Sequence, residues 1–99
     1  MLCLLSARRL KPGAFDQFRR AWEAHGDEYP PGFQRAYHVR NVRDEDEIIS
    51  FGLFDTSLED LRTWRAAHEG EELKRQDAMA AFVENVHVEG IYELIEEVS

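Results

Sequence analysis

Residues 50–64 read SFGLFDTSLEDLRTW, and this stretch joins an apolar strand directly to a helix. The strand is predicted over residues 48–54, where neither set of alternate side chains carries a charge. Two overlapping capping boxes over residues 56–60 then mark the start of the helix. A strand of a half-solvated antiparallel sheet is polar on one side. This strand is not, so both of its faces are predicted to be covered.

The spacing of apolar residues predicts a single α+β domain over residues 1–99. Aromatic residues at i, i+3 and i+7 predict a first helix from Ala14, capped near His25 and Gly26. The second helix is expected to kink or break at Gly70. The predicted strands cover residues 1–10, 33–42, 48–54 and 86–98, a polar hairpin loop covers 43–47, and a further helical stretch covers 71–85. The order is the ferredoxin-like β-α-β-β-α-β, with an antiparallel four-stranded sheet and the helices on one face.

Composition limits the classes of partner. The chain has 99 residues and a net charge of −8, so nucleic acid is a disfavoured partner. No apolar run approaches the roughly 20 residues that cross a bilayer, and the N-terminus lacks the basic region of a signal peptide. The single Cys3 fits a reduced, buried side chain. We therefore expect a cytoplasmic protein with no membrane partner.

Alternation along the strands predicts how each face of the sheet is covered. The face with Phe51, fully apolar, is predicted to meet the helices. The other face has Ser6, Ser50 and Gly52 at its middle but remains apolar around them. Exposing such side chains forgoes roughly 1.5–3 kcal/mol each, so this face is expected to meet a second copy in a homodimeric barrel. Small residues between sheets about 10 Å apart would leave a cavity.

These features resemble the dimeric α+β barrels related to antibiotic-biosynthesis monooxygenases, the ABM family. The matching residues are LKPG at 10–13, the aromatic spacing of Phe15, Phe18 and Trp22, and PGF at 31–33. A charged hairpin, an apolar strand that ends in an aromatic residue, a capped helix and a final strand follow in the same order. The resemblance covers essentially the whole chain. It implies the dimeric barrel. It does not specify an activity, because this fold hosts oxygenases, isomerases and haem-degrading enzymes.

The resemblance also implies which of these activities is disfavoured. Family members that degrade haem use an Asn on strand one, a Trp at the end of strand three and a His ligand on the second helical segment. The corresponding positions here are Ser6, Phe54 and, approximately, Leu73. Since leucine cannot ligate iron, haem degradation is not expected unless His68 takes the place of the missing ligand.

Two histidines, His38 and His68, are the predicted catalytic bases. His68 follows Trp64 by four positions, so the two side chains are neighbours on one helical face. The structural alternative is a helix-end histidine near Gly70, stabilised by the helix dipole. His38 lies on strand two, and alternation leaves open whether His38 or Tyr37 faces the cavity. A purely surface position for His38 is the structural alternative.

A ligand pocket is predicted from hydroxyl groups, one arginine suited to an acidic or phenolate group, and aromatic walls. Its predicted residues are Ser6, Arg8, Trp22, Tyr37, Ser50, Phe54 and Trp64. The expected ligand is a small apolar or aromatic molecule, bound either in the space between the two sheets or between sheet and helices, with no cofactor and no metal. Three functions remain open: a cofactor-independent monooxygenase or ring isomerase, a non-catalytic binding dimer, and a stress-related dimer whose interior is filled by side chains.

Overall fold

The computed structural model describes residues 1–23 and 29–99, which contain four strands and three helices in the order β-α-β-β-α-α-β. They are β1 (Leu2–Leu10), α1 (Phe15–Trp22), β2 (Phe33–Asn41), β3 (Asp44–Phe54), α2 (Leu58–Ala67), α3 (Glu69–Ala80) and β4 (Val83–Glu93). All strands are antiparallel, in the order β2-β3-β1-β4. This arrangement confirms the predicted ferredoxin-like α+β fold. Within the described ranges, no helix is long and apolar enough to span a lipid bilayer.

The second predicted helix is divided two residues earlier than expected. The break lies at His68, whose φ of −118° and ψ of 20° end α2 and begin α3, whereas Gly70 lies inside α3. The predicted helical stretch to residue 85 is wrong, since α3 ends at Ala80 and β4 begins at Val83. Pairing explains the early strand, because Val83 is already in register with Leu10 of β1. At its other end, β4 stops at residue 93 instead of 98.

The β2–β3 hairpin is tighter than predicted. Asn41 pairs with Asp44, which leaves Val42 and Arg43 as a two-residue turn. The acidic residues 44–47, expected in a loop, therefore belong to β3. An ion pair between Asp44 and Arg9 fixes this end of β3 to β1.

The hydrophobic core lies between the helices and one face of the sheet. Phe18 of α1 and Met79 of α3 pack with Leu10 and Ile48 from the sheet, and all four are almost fully buried. Leu73, predicted in the apolar stripe of this helix, is 58% exposed instead. The reason is rotation, because α3 turns Met79 to the core and a residue six positions away lies about 120° around the helix.

The aromatic stripe predicted for the first helix faces the core. Phe15 and Trp22 pack against the core beside Phe18, which is completely buried. The described part of α1 ends at Trp22, with Glu23 as its C-cap. The predicted cap at His25 and Gly26 lies outside the described residues.

The predicted assignment of the two sheet faces is wrong. Ser6 pairs with Ser50 on neighbouring strands, so both side chains lie on one face, and both are buried beneath the helices. Phe51 points to the opposite, partly exposed face. The error has a physical cause: small side chains in the middle of the sheet leave room for the bulky side chains that the helices bring.

Candidate ligand-binding cavity and its polar floor

A cavity of about 180 Å³ lies between the sheet and the helices. Its aromatic wall consists of Trp22, Tyr29, Phe33, Phe54 and Trp64. Ser6, Arg8 and Ser50 form a polar floor on the sheet side. An apolar cavity of roughly 150 Å³ is enough to bind benzene, so this one accommodates a substituted aromatic ring.

The cavity contains most of the predicted pocket residues, but it lies on the helix side of the sheet and not between two sheets. The predicted residues in its lining are Ser6, Arg8, Trp22, Ser50, Phe54 and Trp64. Tyr37 lies on the opposite face, 45% exposed, with its ring 5.3 Å from that of Phe51. The alternative left open on β2 is thereby decided, because His38 points to the helix side.

The His38 imidazole lies directly behind the cavity floor. Its Nδ1 is 2.7 Å from Ser50 Oγ, and Ser50 lines the cavity. Edge-to-face contacts with Phe15, Phe18 and Trp22 enclose the imidazole, at ring-centroid distances of 5.7, 6.1 and 4.6 Å. Within the described part of the chain, His38 is not in the cavity wall, so the Ser50 hydroxyl separates it from a bound molecule.

Burial determines the protonation of His38. Desolvation lowers the pKa of the imidazole below its ordinary value of 6.5, and the positive charges of Arg19 and Arg8 lower it further. Glu23 opposes this shift. His38 is therefore neutral at pH 7 and able to accept a proton.

Arg8 places a positive charge inside the protein. It is only 6% exposed, and its Nη1 donates a hydrogen bond to Ser6 Oγ at 2.5 Å. The guanidinium carbon lies 5.4 Å from the centroid of the Phe18 ring. Burial lowers the pKa of Arg8, whereas Glu89 raises it. An arginine remains charged under any ordinary condition, so the floor of the cavity is cationic.

His68 occupies a different position from His38. Its ring stacks on that of Trp64 with centroids 4.2 Å apart, which confirms that the two are helical neighbours. Its Nδ1 lies 2.8 Å from the Trp64 carbonyl oxygen, as expected for an N–H donor at the end of α2. Trp64 lines the cavity, and among the described residues His68 does not. This geometry favours the structural role for His68.

A polar cluster on α3, which sequence reasoning missed, holds one aromatic wall in place. Arg75 Nε donates to the Trp22 carbonyl oxygen at 2.5 Å, and its guanidinium carbon lies 5.3 Å from the Trp22 ring centroid. Glu72 bonds to both Arg75 and Gln76, at 2.8 and 2.9 Å. The residues of this cluster look like ordinary solvent-facing helix residues, so no sequence signal marks them. Over residues 1–23 and 29–99, no group of three His, Cys, Asp or Glu side chains is arranged to hold a metal ion.

Comparison with known proteins identifies the fold of the chain. No protein-family model matches the chain, and no curated protein matches it significantly in sequence. Solved structures do match. A mutant form of SnoaB, a cofactor-independent oxygenase from Streptomyces nogalater, superposes with a TM-score of 0.73 at 15% identity, over 98% of this chain and 95% of that one.

Two further structures match over nearly their whole lengths. Rv0793 from Mycobacterium tuberculosis has a TM-score of 0.69 at 13% identity, covering 99% of this chain and 98% of its own. A protein from Nitrosomonas europaea, provisionally assigned as an antibiotic biosynthesis monooxygenase, has a TM-score of 0.68 at 15% identity and covers 97% and 100%. The chain therefore has the ABM-like fold from end to end. At these identities the comparison establishes the fold alone.

Proposed function

We propose that the chain is a homodimeric ABM-like protein that binds a small apolar or aromatic molecule in its cavity and oxidises it as a cofactor-independent monooxygenase. The observation that carries this proposal is the His38–Ser50 hydrogen bond at the floor of an aromatic-walled cavity. SnoaB, described as a cofactor-independent oxygenase, has the same fold.

The proposed homodimer is supported by the sheet face opposite the cavity. Tyr37, Val39, Val88 and Tyr92 on this face are each more than 40% exposed, and Phe51 lies among them. A contiguous apolar surface of this kind is typical of a protein–protein interface. A second copy related by a two-fold axis offers an identical surface, and packing the two faces buries both.

The proposed chemistry needs no external reductant. A methylene group between activating substituents reacts with O₂ to give a carbonyl group and water, and the substrate carbon supplies all four electrons. The protein must remove a proton to form the carbanion, stabilise the anion and exclude bulk water. His38 accepts that proton through Ser50, and it is therefore a positioning residue that acts through the hydroxyl. Arg8 supplies the compensating charge.

The oxygenation test uses 1,3-indandione, a small bicyclic compound with an acidic methylene group. We expect O₂ uptake in an oxygen electrode and a trione product by mass spectrometry. His38→Gln and Ser50→Ala should each lower the rate by about 100-fold, the usual size of a general-base contribution. The control is Thr63→Ala on the exposed surface of α2, which should react like the unmodified chain. Equal rates in all four proteins would contradict the assigned proton path.

A second function, a non-catalytic small-molecule-binding dimer, is supported by one specific observation. Neither His38 nor His68 is in the described cavity wall, so no imidazole touches a bound molecule directly. A binding protein would take up the same compounds and leave them intact. Recovery of bound 1,3-indandione with unchanged mass after long aerobic incubation would favour this alternative over the monooxygenase.

A further inference from the structure

Two serines face each other at the centre of the cavity floor. Ser6 on β1 and Ser50 on β3 are direct cross-strand partners, and directly opposed residues in antiparallel strands have Cβ atoms about 4.5–5.5 Å apart. Both side chains are buried, and both line the cavity. A single oxygen atom of a bound molecule can therefore approach both hydroxyls at once.

The two hydroxyls have partners of opposite character. Arg8 has only donors, so Ser6 accepts a hydrogen bond from it and keeps its own hydroxyl hydrogen for a bound molecule. A neutral His38 with an unprotonated Nδ1 accepts the hydroxyl hydrogen of Ser50, which leaves the lone pairs of Ser50 for a bound molecule. The floor then offers one donor, polarised by a cation, beside one acceptor, polarised by a base.

The guanidinium of Arg8 has more donors than the protein uses. It carries five N–H groups, and within the described residues its one side-chain hydrogen bond goes to Ser6. No fully buried side-chain nitrogen or oxygen in the described ranges lacks a partner. Arg8 itself lines the cavity. The floor therefore favours a ligand that brings negative charge.

We propose that Arg8 and His38 are positioning residues that act through Ser6 and Ser50 and make the cavity select aromatic ligands with one ionisable hydroxyl group. This inference rests on the proposed function of the cavity as a ligand site. The ligand hydroxyl donates to Ser50 Oγ and accepts from the Ser6 hydroxyl.

Ionisation at this floor is a balanced proton transfer. The ligand O–H bond breaks as its proton moves to Ser50 Oγ, while the original Ser50 proton moves to His38 Nδ1. The ligand becomes an anion and His38 becomes an imidazolium, so net charge is unchanged, and Arg8 stabilises the anion. The charged groups around the floor are Arg8 on β1, Glu72 and Arg75 on α3, Glu89 on β4, Arg65 on α2, Arg19 on α1 and Glu23 at the C-cap of α1.

The test compares two probes of nearly the same shape under nitrogen, so that no oxidation is needed. 4-Nitrophenol has an ionisable hydroxyl and absorbs near 400 nm as the phenolate, whereas 4-nitroanisole carries a methyl ether instead. We expect the protein to bind 4-nitrophenol at least about tenfold more tightly, since hydrogen bonds to charged groups are stronger than neutral ones. The pKa of bound 4-nitrophenol should also fall below that of the free compound.

Adjacent arginines on opposite faces of β1 provide the matched control. Arg8→Gln should remove both the preference for 4-nitrophenol and its lowered pKa, while 4-nitroanisole binding persists. Arg9→Gln, which alters only the surface ion pair with Asp44, should change neither.

If Arg8→Gln does not fold, Ser6→Ala takes its place, and a clear loss of preference supports the inference. Equal binding of the two probes by the unmodified protein, or a preference that survives these variants, overturns it. If neither probe binds, the proposed function fails as well.

Discussion

The two faces of one sheet differ in composition, and the more apolar face is the one that the protomer leaves uncovered. The helix side has Ser6, Ser50 and Gly52 along its middle, and all three are buried. The other side has Phe51 and Tyr37 in ring contact and partly exposed. Helices bring bulky side chains of their own, so they pack over small residues. Apolarity alone therefore does not identify the face that a protomer buries.

On each face of the sheet, a glycine lies beneath an aromatic ring that follows it by two residues in the same strand. Gly52 lies under the ring of Phe54 on the cavity side, and Gly90 lies under the ring of Tyr92 on the open side. A Cβ at Gly52 would lie 2.9 Å from Phe54, and one at Gly90 would lie 3.3 Å from Tyr92. Each glycine allows an aromatic ring to lie flat on the sheet, on one side to shape the cavity and on the other to extend the open apolar surface.

The largest predicted effect is on assembly. Phe51→Asp places a charge at the centre of the open face, and in a two-fold interface each substitution occurs twice. Because central aromatic residues commonly contribute about 2 kcal/mol or more, we expect the dimer dissociation constant to rise more than about 30-fold. Sedimentation equilibrium measures it. Val42→Asp at the exposed hairpin tip is the control, and an unchanged constant for Phe51→Asp would remove this face from the interface.

An intermediate effect is predicted for ligand binding. Gly52→Ala must displace the Phe54 ring, which forms part of the cavity wall, so 4-nitroanisole should bind several-fold more weakly. Gly90→Ala is the matched change: the Gly90 backbone borders the cavity, but an added Cβ would point to the open face against Tyr92, which is exposed and can move, so that affinity should stay unchanged. Isothermal titration calorimetry distinguishes them. Unchanged affinity in Gly52→Ala would mean that the ligand is not on the helix side.

The smallest predicted effect is the pH dependence of stability. Burial lowers the pKa of His38 in the folded protein below 6.5, so the unfolded chain binds more protons as the pH falls through that value. The free energy of unfolding should therefore decrease between pH 7 and pH 5 because of this group. Urea unfolding at both pH values should show a smaller decrease for His38→Gln. An identical decrease in the variant would show that His38 is not held neutral by its surroundings.

Sequence reasoning located the fold and the central polar pair because both follow from short-range patterns. Strand alternation placed Ser6 and Ser50 together, and aromatic spacing marked α1 correctly. Alternation separates a strand into two sets of side chains, but it does not say which set meets the helices. That choice depends on the combined volume of sheet and helix side chains, which no single strand contains.

The missed features are those created by contacts between distant segments. Pairing of Val83 with Leu10 starts β4 early, and the hydrogen bond of Arg75 with the Trp22 carbonyl joins residues 53 positions apart. The break at His68 falls before Gly70, although glycine has the lower helix propensity. Local preference predicted a break in this region, and the exact residue depends on how α2 and α3 pack.

The central claim is that the apolar face opposite the cavity is covered by a second copy. Multi-angle light scattering on the purified protein tests it directly, because the protomer mass is 11.6 kDa. We expect a mass of twice that value at micromolar concentration. A single species at the protomer mass, unchanged as the protein is concentrated, would contradict the account.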